Sequence, residues 1–386
     1  MDLDTLLLTA VDAGASDLHL KVLQPPMARL DGALEAMAGW DPLSATELEV
    51  VLQQICSHAP SRLQTFYETG DLDIAYTARG TRFRVNGFRQ RGEASFAFRM
   101  IPRRIPSFTQ LNLPRGVERL ADEHQGLVVV TGPTGAGKST TLAAMLDHIN
   151  RTRRIHVVTI EDPIEFLHED RGSIVNQREV GLDTESFRRG LRQVLRQDPD
   201  VILIGELRDA ESAEVALQAA ESGHLVFTTL HTIDAAETIG RIIEFFPAIK
   251  QSQIRAILAG TLRGVVSQRL LPRVDGGRVP AVEVMVNNAR IADFIRESRT
   301  DEIAGAIEDG AYWDMQAAQD ALVRLVVDDV VEREIAANAA VNRHDFLIAL
   351  EHALKQQRAD DEDDDAEQLP SIGLDGLRTS PRIGTA

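Results

Sequence analysis

Leucines and small apolar residues recur at helical spacing over residues 3–13, and the chain then switches to alternation in Ser16-Asp17-Leu18-His19-Leu20-Lys21-Val22. Alternation puts every second side chain on one face and predicts a half-buried strand. A helix is predicted over 44–58. Alternation returns over 72–100, through Leu72, Ile74, Tyr76, Phe83, Val85, Phe96 and Phe98. Residues 1–102 therefore read as an α+β domain. Pro102 and Pro106 then stand four residues apart, a spacing that neither a helix interior nor a central strand accommodates. Residues 103–116 are expected to be a linker.

From 117 the pattern changes. Four short apolar runs, Leu127–Thr131, His156–Ile160, Val201–Ile204 and Leu225–Thr229, are separated by segments of helical character. Apolar strands alternating with helices predict an α/β unit over 117–280, with a parallel sheet covered on both faces. Ligands on such sheets sit at the carboxyl ends of the strands. Residues 281–358 read as a C-terminal helical domain. Beyond it lie seven acids between Asp360 and Glu367, then Pro370, Gly373, Gly376, Pro381 and Gly384. Such a composition buries too little apolar surface to offset its ordering entropy, so 359–386 are expected to be a disordered acidic tail.

Charge and composition narrow the function. The chain has 386 residues and a net charge of −18, which opposes nucleic-acid binding. Its one cysteine, Cys56, excludes an internal disulfide and a multi-cysteine zinc site. No apolar stretch approaches the roughly 20 residues that span a bilayer. The first residues, Met1-Asp2-Leu3-Asp4, are acidic where a signal peptide is basic. These features predict a cytoplasmic protein without direct membrane insertion, any membrane role going through a partner.

The chemistry is concentrated after the apolar runs. Gly132-Pro133-Thr134-Gly135-Ala136-Gly137-Lys138-Ser139 satisfies G-x-x-x-x-G-K-[ST], and Thr140 continues it. Its glycines let backbone N–H groups wrap phosphates, and the following helix presents its N-terminus to the anion. In this pattern the lysine reaches the β- and γ-phosphates and the serine ligates Mg²⁺. The cofactors expected are ATP and Mg²⁺. Glu161 and Asp162 follow the strand 156–160, and Glu206 follows 201–204, so all fall on the P-loop edge of the sheet. One carboxylate can hold the metal while the other orients the attacking water. The alternative is that either acid caps a helix, Asp162-Pro163 being a plausible cap and N1 pair. His224 and His231 flank the strand 225–229, either near nucleotide or as hydrogen-bonded surface groups. Arg82, Arg84, Arg89, Arg91 and Arg99 form the densest basic cluster, mostly a solvated strand face, from which two or three at most are expected to reach a neighbour's nucleotide in a ring.

Taken together, these motifs resemble the secretion ATPases of type IV pilus and type II secretion machines, of the PilT/PilU retraction type. The resemblance covers roughly 1–358. It rests on the P-loop and on Thr159–Glu165, similar to the family's aspartate box. It rests also on Asp198–Asp209, similar to its Walker B segment, and Gly223–His231, similar to its histidine box. Ala15–Leu20 and Arg82–Asn86 also match. It implies a PAS-like N-terminal domain joined to a RecA-like ATPase core, and a homohexamer, or a ring shared with a paralogous ATPase. It implies a pilus retraction motor at the cytoplasmic face of the inner membrane, partnered by a platform protein. Glu161 is then the catalytic glutamate and Glu206 the Walker B glutamate near Mg²⁺. His224, His231 and Arg241 sense or position nucleotide, and Arg84 and Arg99 serve a neighbouring site. The lack of a four-cysteine motif and a P-loop starting at 132 oppose an extension or type II secretion ATPase. Within Arg290–Glu297, Ala292 and Asp293 replace the arginine and asparagine of the family's Ala-Ile-Arg-Asn-Leu-Ile-Arg-Glu segment. That leaves an accessory PilU-like motor as the alternative.

Overall fold

The computed structural model describes residues 1–367 apart from 31, 102 and 103. The N-terminal unit is a six-stranded antiparallel sheet carrying three helices. Its strands are β1 (Asp17–Leu20), β2 (Met27–Leu30), β3 (Ala33–Ala36), β4 (Asp71–Ala78), β5 (Thr81–Gln90) and β6 (Glu93–Met100), in the order β3-β2-β1-β6-β5-β4. The first helix, Leu3–Asp12, starts where Asp2 accepts the N–H groups of Asp4 and Thr5, and it buries Leu3, Leu6, Leu7 and Ala10. Those positions are three and four apart, one face of a 3.6-residue period. The helix Ala45–Ile55 opens with a reciprocal capping box between Ser44 and Glu47. Along β5, Phe83 and Val85 turn into the core with Phe96 and Phe98, while Arg84 turns out.

The second unit is a seven-stranded sheet: β7 (Gly126–Thr131), β8 (His156–Glu161), β9 (Ile174–Glu179), β10 (Val201–Ile204), β11 (Leu225–Leu230), β12 (Leu262–Pro272) and β13 (Arg278–Val286). Its order is β13-β12-β7-β11-β10-β8-β9, parallel except for the β12–β13 hairpin. Every residue of β7, β10 and β11 is buried, as a sheet with helices on both faces requires. All four predicted strands are present.

The divisions along the chain differ from those predicted. Phe108 and Leu113, inside the expected linker, pack on the second unit's core, and the helix Arg115–Ala121 buries Val117, Leu120 and Ala121 there. The boundary at 280 cuts through β13. The helices Ala289–Glu297 and Ile303–Glu308 also belong to this core, through Ile291, Phe294, Ile295, Ile303 and Ile307. Ala318–Val327, Arg333–Ala339 and the last helix form a separate cluster, closing over Leu271, Val279 and Ala281 at the turn end of the hairpin. That last helix runs Arg343–Glu367 and so takes in 359–367, which were expected in the tail. Helix-favouring Ala, Glu, Gln, Lys and Arg lead into it. The rest of the expected tail, 368–386, lies outside the described residues.

Among the described residues no helix is long and apolar enough to cross a membrane, and no group of three or more His, Cys, Asp or Glu stands ready to hold a metal ion. Cys56 is buried, which pushes its thiol up to about 11.

Candidate active site

Because β7, β8, β10 and β11 run parallel, with Thr131 opposite Leu230 and Ile160 opposite Ile204, their carboxyl ends share one edge. The P-loop leaves β7 at this edge and turns into the helix Lys138–Thr152. Two of its glycines are compelled. Gly132 has φ +143° and a Cβ there would lie 2.2 Å from Gln268 O. Gly137, at φ +86°, caps the helix in the left-handed conformation.

A cleft of about 440 Å³ opens above the loop, lined by Thr134, Gly135, Ala136, Gly137, Lys138, Ser139 and Thr140 together with Glu161, Glu206 and His231. Gly132 and Pro133 carbonyls accept from Lys138 Nζ at 2.8 and 3.2 Å. The same ammonium lies 3.3 Å from His231 Nδ1, and His231 Nε2 lies 3.5 Å from Glu206 Oε1. The other Glu206 oxygen accepts from Arg208 Nε at 3.2 Å. Lysine, histidine, glutamate and arginine thus form one line across the cleft floor. Burial lowers the Lys138 ammonium pKa, against the attraction of Glu206 and Glu165.

Glu161 closes the other side. No helix starts at Asp162-Pro163, since the next element after β8 is β9, and the helix after Glu206 is capped by Asp209. Neither glutamate is a helix cap. Glu161 Oε1 accepts from Thr159 Oγ1 at 2.7 Å and Gln177 Nε2 at 3.1 Å. Burial pushes its carboxyl above the ordinary range, and those two donors hold it partly down. A carboxyl that orients water works ionised, so turnover is expected to rise with pH along an acid limb above the ordinary glutamate value of about 4.3. Thr159→Val removes a donor that favours the ionised form and should move that limb further up in a steady-state pH profile. A limb that stays put in this variant would separate it from Glu161.

Arg241 sits beside this cleft, in an adjoining pocket that shares Glu206, Arg208 and His231. It packs over the Phe245 ring and pairs with Glu244 at 3.7 Å. His224 is a correction. It precedes β11, whereas His231 follows it, so a six-residue strand, about 20 Å, separates it from the cleft. Its Nδ1 lies 3.0 Å from Ser222 Oγ and from Ala219 O, at the opposite edge of the sheet. Arg84 and Arg99 also lie outside this cleft, bound to Asp73 and Asp17 at 2.8 Å each. The hydrogen bond to Asp73 raises the Arg84 pKa first, and Glu165 and Asp162 add to it, so Arg84 already feels the acids at the mouth of the site.

Arg82 departs from the expected solvated face. It forms an ion pair with Glu179 on β9, and Glu179 is only 3% exposed. The same Glu179 oxygen accepts from Ile164 N at 3.1 Å, and Arg62 Nη2 donates to Val180 O at 3.2 Å. The N-terminal unit is thereby tied to the loop that follows Glu161. Leu270 and Arg278 of the β12–β13 hairpin and Arg208 also line the cleft. Arg208 stands inside a recognised motif; the hairpin went unread although Asp275-Gly276-Gly277 between two apolar runs is a turn signal.

Residues 2–277 match the type II/IV secretion system protein family. The type IV pilus retraction ATPase PilT of Pseudomonas aeruginosa is 43% identical over 88% of this chain and 98% of its own. The type IV pilus ATPase PilU of the same organism is 37% identical over 91% of each. A crystal structure of the pilus retraction motor PilT with bound ADP superposes with a TM-score of 0.82 at 41% identity, covering 89% of this chain and 98% of that one. Along nearly its whole length, including the edge that gathers Lys138, Glu161, Glu206 and His231, the chain belongs to the type II/IV secretion system family as a PilT/PilU-type ATPase.

Proposed function

We propose that this ATPase drives type IV pilus retraction and hence twitching motility, as a hexameric ring at the cytoplasmic face of the inner membrane. The observation that carries the reading is one cleft lined by Lys138, Ser139, Glu161, Glu206 and His231, in a chain 43% identical to PilT over 88% of its length. Backbone N–H groups of 134–137 and the Lys138 ammonium hold the β- and γ-phosphates. Ser139 and Glu206 offer oxygen donors to one cleft, the donor type that a hard cation takes, and they fit Mg²⁺. Bound there, Mg²⁺ supplies positive charge to the phosphoryl oxygens. Glu161 orients the attacking water in line with the γ-phosphorus. His231 stands between Lys138 and Glu206, where it registers the γ-phosphate, and Arg241 reads the same end from the adjoining pocket. Arg84 and Arg99, on exposed faces of the N-terminal sheet, serve a neighbouring subunit's site. A platform protein in the membrane receives the motion.

A second reading, an accessory PilU-like motor, is favoured by the helix Ala289–Glu297. Ala292 is buried there, and Asp293 is paired with Arg296 at 2.6 Å. The long polar side chain of the retraction segment is absent from that position. Deletion of the gene in its host, complemented by the parent chain or by Lys138→Ala, tests both. Excess surface pili and lost motility, restored only by the parent chain, are expected for the retraction motor. Normal piliation with weakened retraction force would establish the accessory role, and bald cells would overturn both in favour of extension.

A further inference from the structure

β12 passes directly behind the P-loop, and one side chain makes the join. Gln268 is 2% exposed. Its Nε2 donates to Ala136 O at 2.5 Å, and its Oε1 accepts from Thr141 Oγ1 at 2.8 Å. Ala136 lies within the phosphate-binding turn, and Thr141 lies in the first turn of the helix that follows. A carboxamide carries donors and an acceptor at one end, so a single side chain staples both. The loop backbone also runs close to Gln268: Cβ atoms built on Gly132 and Gly137 would lie 2.2 Å from its carbonyl O and 3.1 Å from its side-chain Nε2. Gln268 is itself held on either side. Ser267 Oγ donates to Glu283 on β13 at 3.2 Å, and the Arg269 guanidinium donates to Ala339 O in the C-terminal helices.

The carbonyl of Ala136 and the N–H of Gly137 belong to one planar trans peptide and point in opposite directions. Holding the carbonyl against β12 therefore aims the N–H away from β12. We propose that Gln268 is a positioning residue for the nucleotide reaction. It orients the Ala136–Gly137 peptide and sets the turn against the helix bearing Ser139, so that N–H groups and the Lys138 ammonium converge on one phosphate. This inference rests on the reading of the P-loop as the nucleotide site.

The test is MgADP affinity of the full chain at one fixed concentration, by calorimetry. Gln268→Met keeps length without the amide and is expected to weaken MgADP binding about tenfold, because the released Ala136–Gly137 peptide no longer holds its N–H on the phosphate, a charge-assisted hydrogen bond of that scale. Gln268→Glu retains the acceptor but sets a carboxylate against Ala136 O, so at pH 8 it should bind more weakly still. As pH falls its affinity should recover relative to the parent at the same pH, because a protonated carboxyl both donates to Ala136 O and accepts from Thr141. A residue that only fills space would show no such recovery. Gln268→Met within twofold of the parent, or Gln268→Glu without recovery, would overturn the proposal. Should Gln268→Met not fold, Thr141→Val decides by the same affinity: about threefold weaker supports the role, and parent affinity ends it. A parent chain that binds no MgADP would instead defeat the nucleotide-site reading itself.

Discussion

Lys138→Ala is expected to reduce ATP turnover at least about a hundredfold, the scale on which removal of one charge-stabilising donor acts in a preorganised site. In the proposed site the lysine is the cation that meets the phosphates, and its present partners are carbonyls of Gly132 and Pro133 and a ring nitrogen of His231. Alanine leaves the turn's N–H groups in place but removes the charge that they share with the anion. The fold should not suffer. Burial disfavours the ammonium and lowers its pKa, so the variant's nucleotide-free Tm is expected to match the parent or exceed it. What should vanish is nucleotide-dependent stabilisation, worth about 2.7 kcal/mol for the parent at a hundredfold excess of ligand over Kd. Thermal unfolding with and without MgADP measures both terms. A variant that keeps the full MgADP shift would place the phosphates elsewhere.

How much of this site could be read in the chain depends on where each residue stands relative to its strand. Lys138, Glu161, Glu206 and His231 each follow an apolar run, and parallel strands carry everything that follows such runs to one edge. The same rule separates His224 from the cleft, because it precedes the run that His231 follows. Its place in a shared motif concealed that geometry. β9 was missed because Ile174-Val175-Asn176-Gln177-Arg178-Glu179 is an edge strand with no apolar run. β12 was missed because it leaves the helix Ala248–Thr261 at Leu262 with no glycine or proline between them. Losing that hairpin hid Leu270 and Arg278, which wall the cleft, and Gln268, which is bonded to the P-loop from behind. Arg82 alternates correctly onto the outer face of β5. Only docking of the second unit turns that face into an interior, and no local pattern reports docking.

Glu161→Gln and Glu206→Gln are expected to leave MgATP binding within a few-fold of the parent and to lower kcat by about a hundredfold or more, the range for loss of a positioned base or of charge used mainly in the transition state. Each substitution keeps shape and removes one negative charge, so the difference between binding and turnover is diagnostic. The two should also differ from one another. Glu161 is held by the neutral donors of Thr159 and Gln177, and its replacement should remove the acid limb from the pH profile while leaving the rest of the cleft undisturbed. Glu206 lies between His231 and Arg208, and its replacement weakens both contacts. An added His231→Ala should then cost little in the Glu206→Gln background, although it costs several-fold in the parent, a non-additivity that a double-mutant cycle measures. Equal costs in both backgrounds would show that the histidine and the glutamate act independently. Parent-like turnover in both glutamine variants would move the catalytic carboxylate away from this edge altogether.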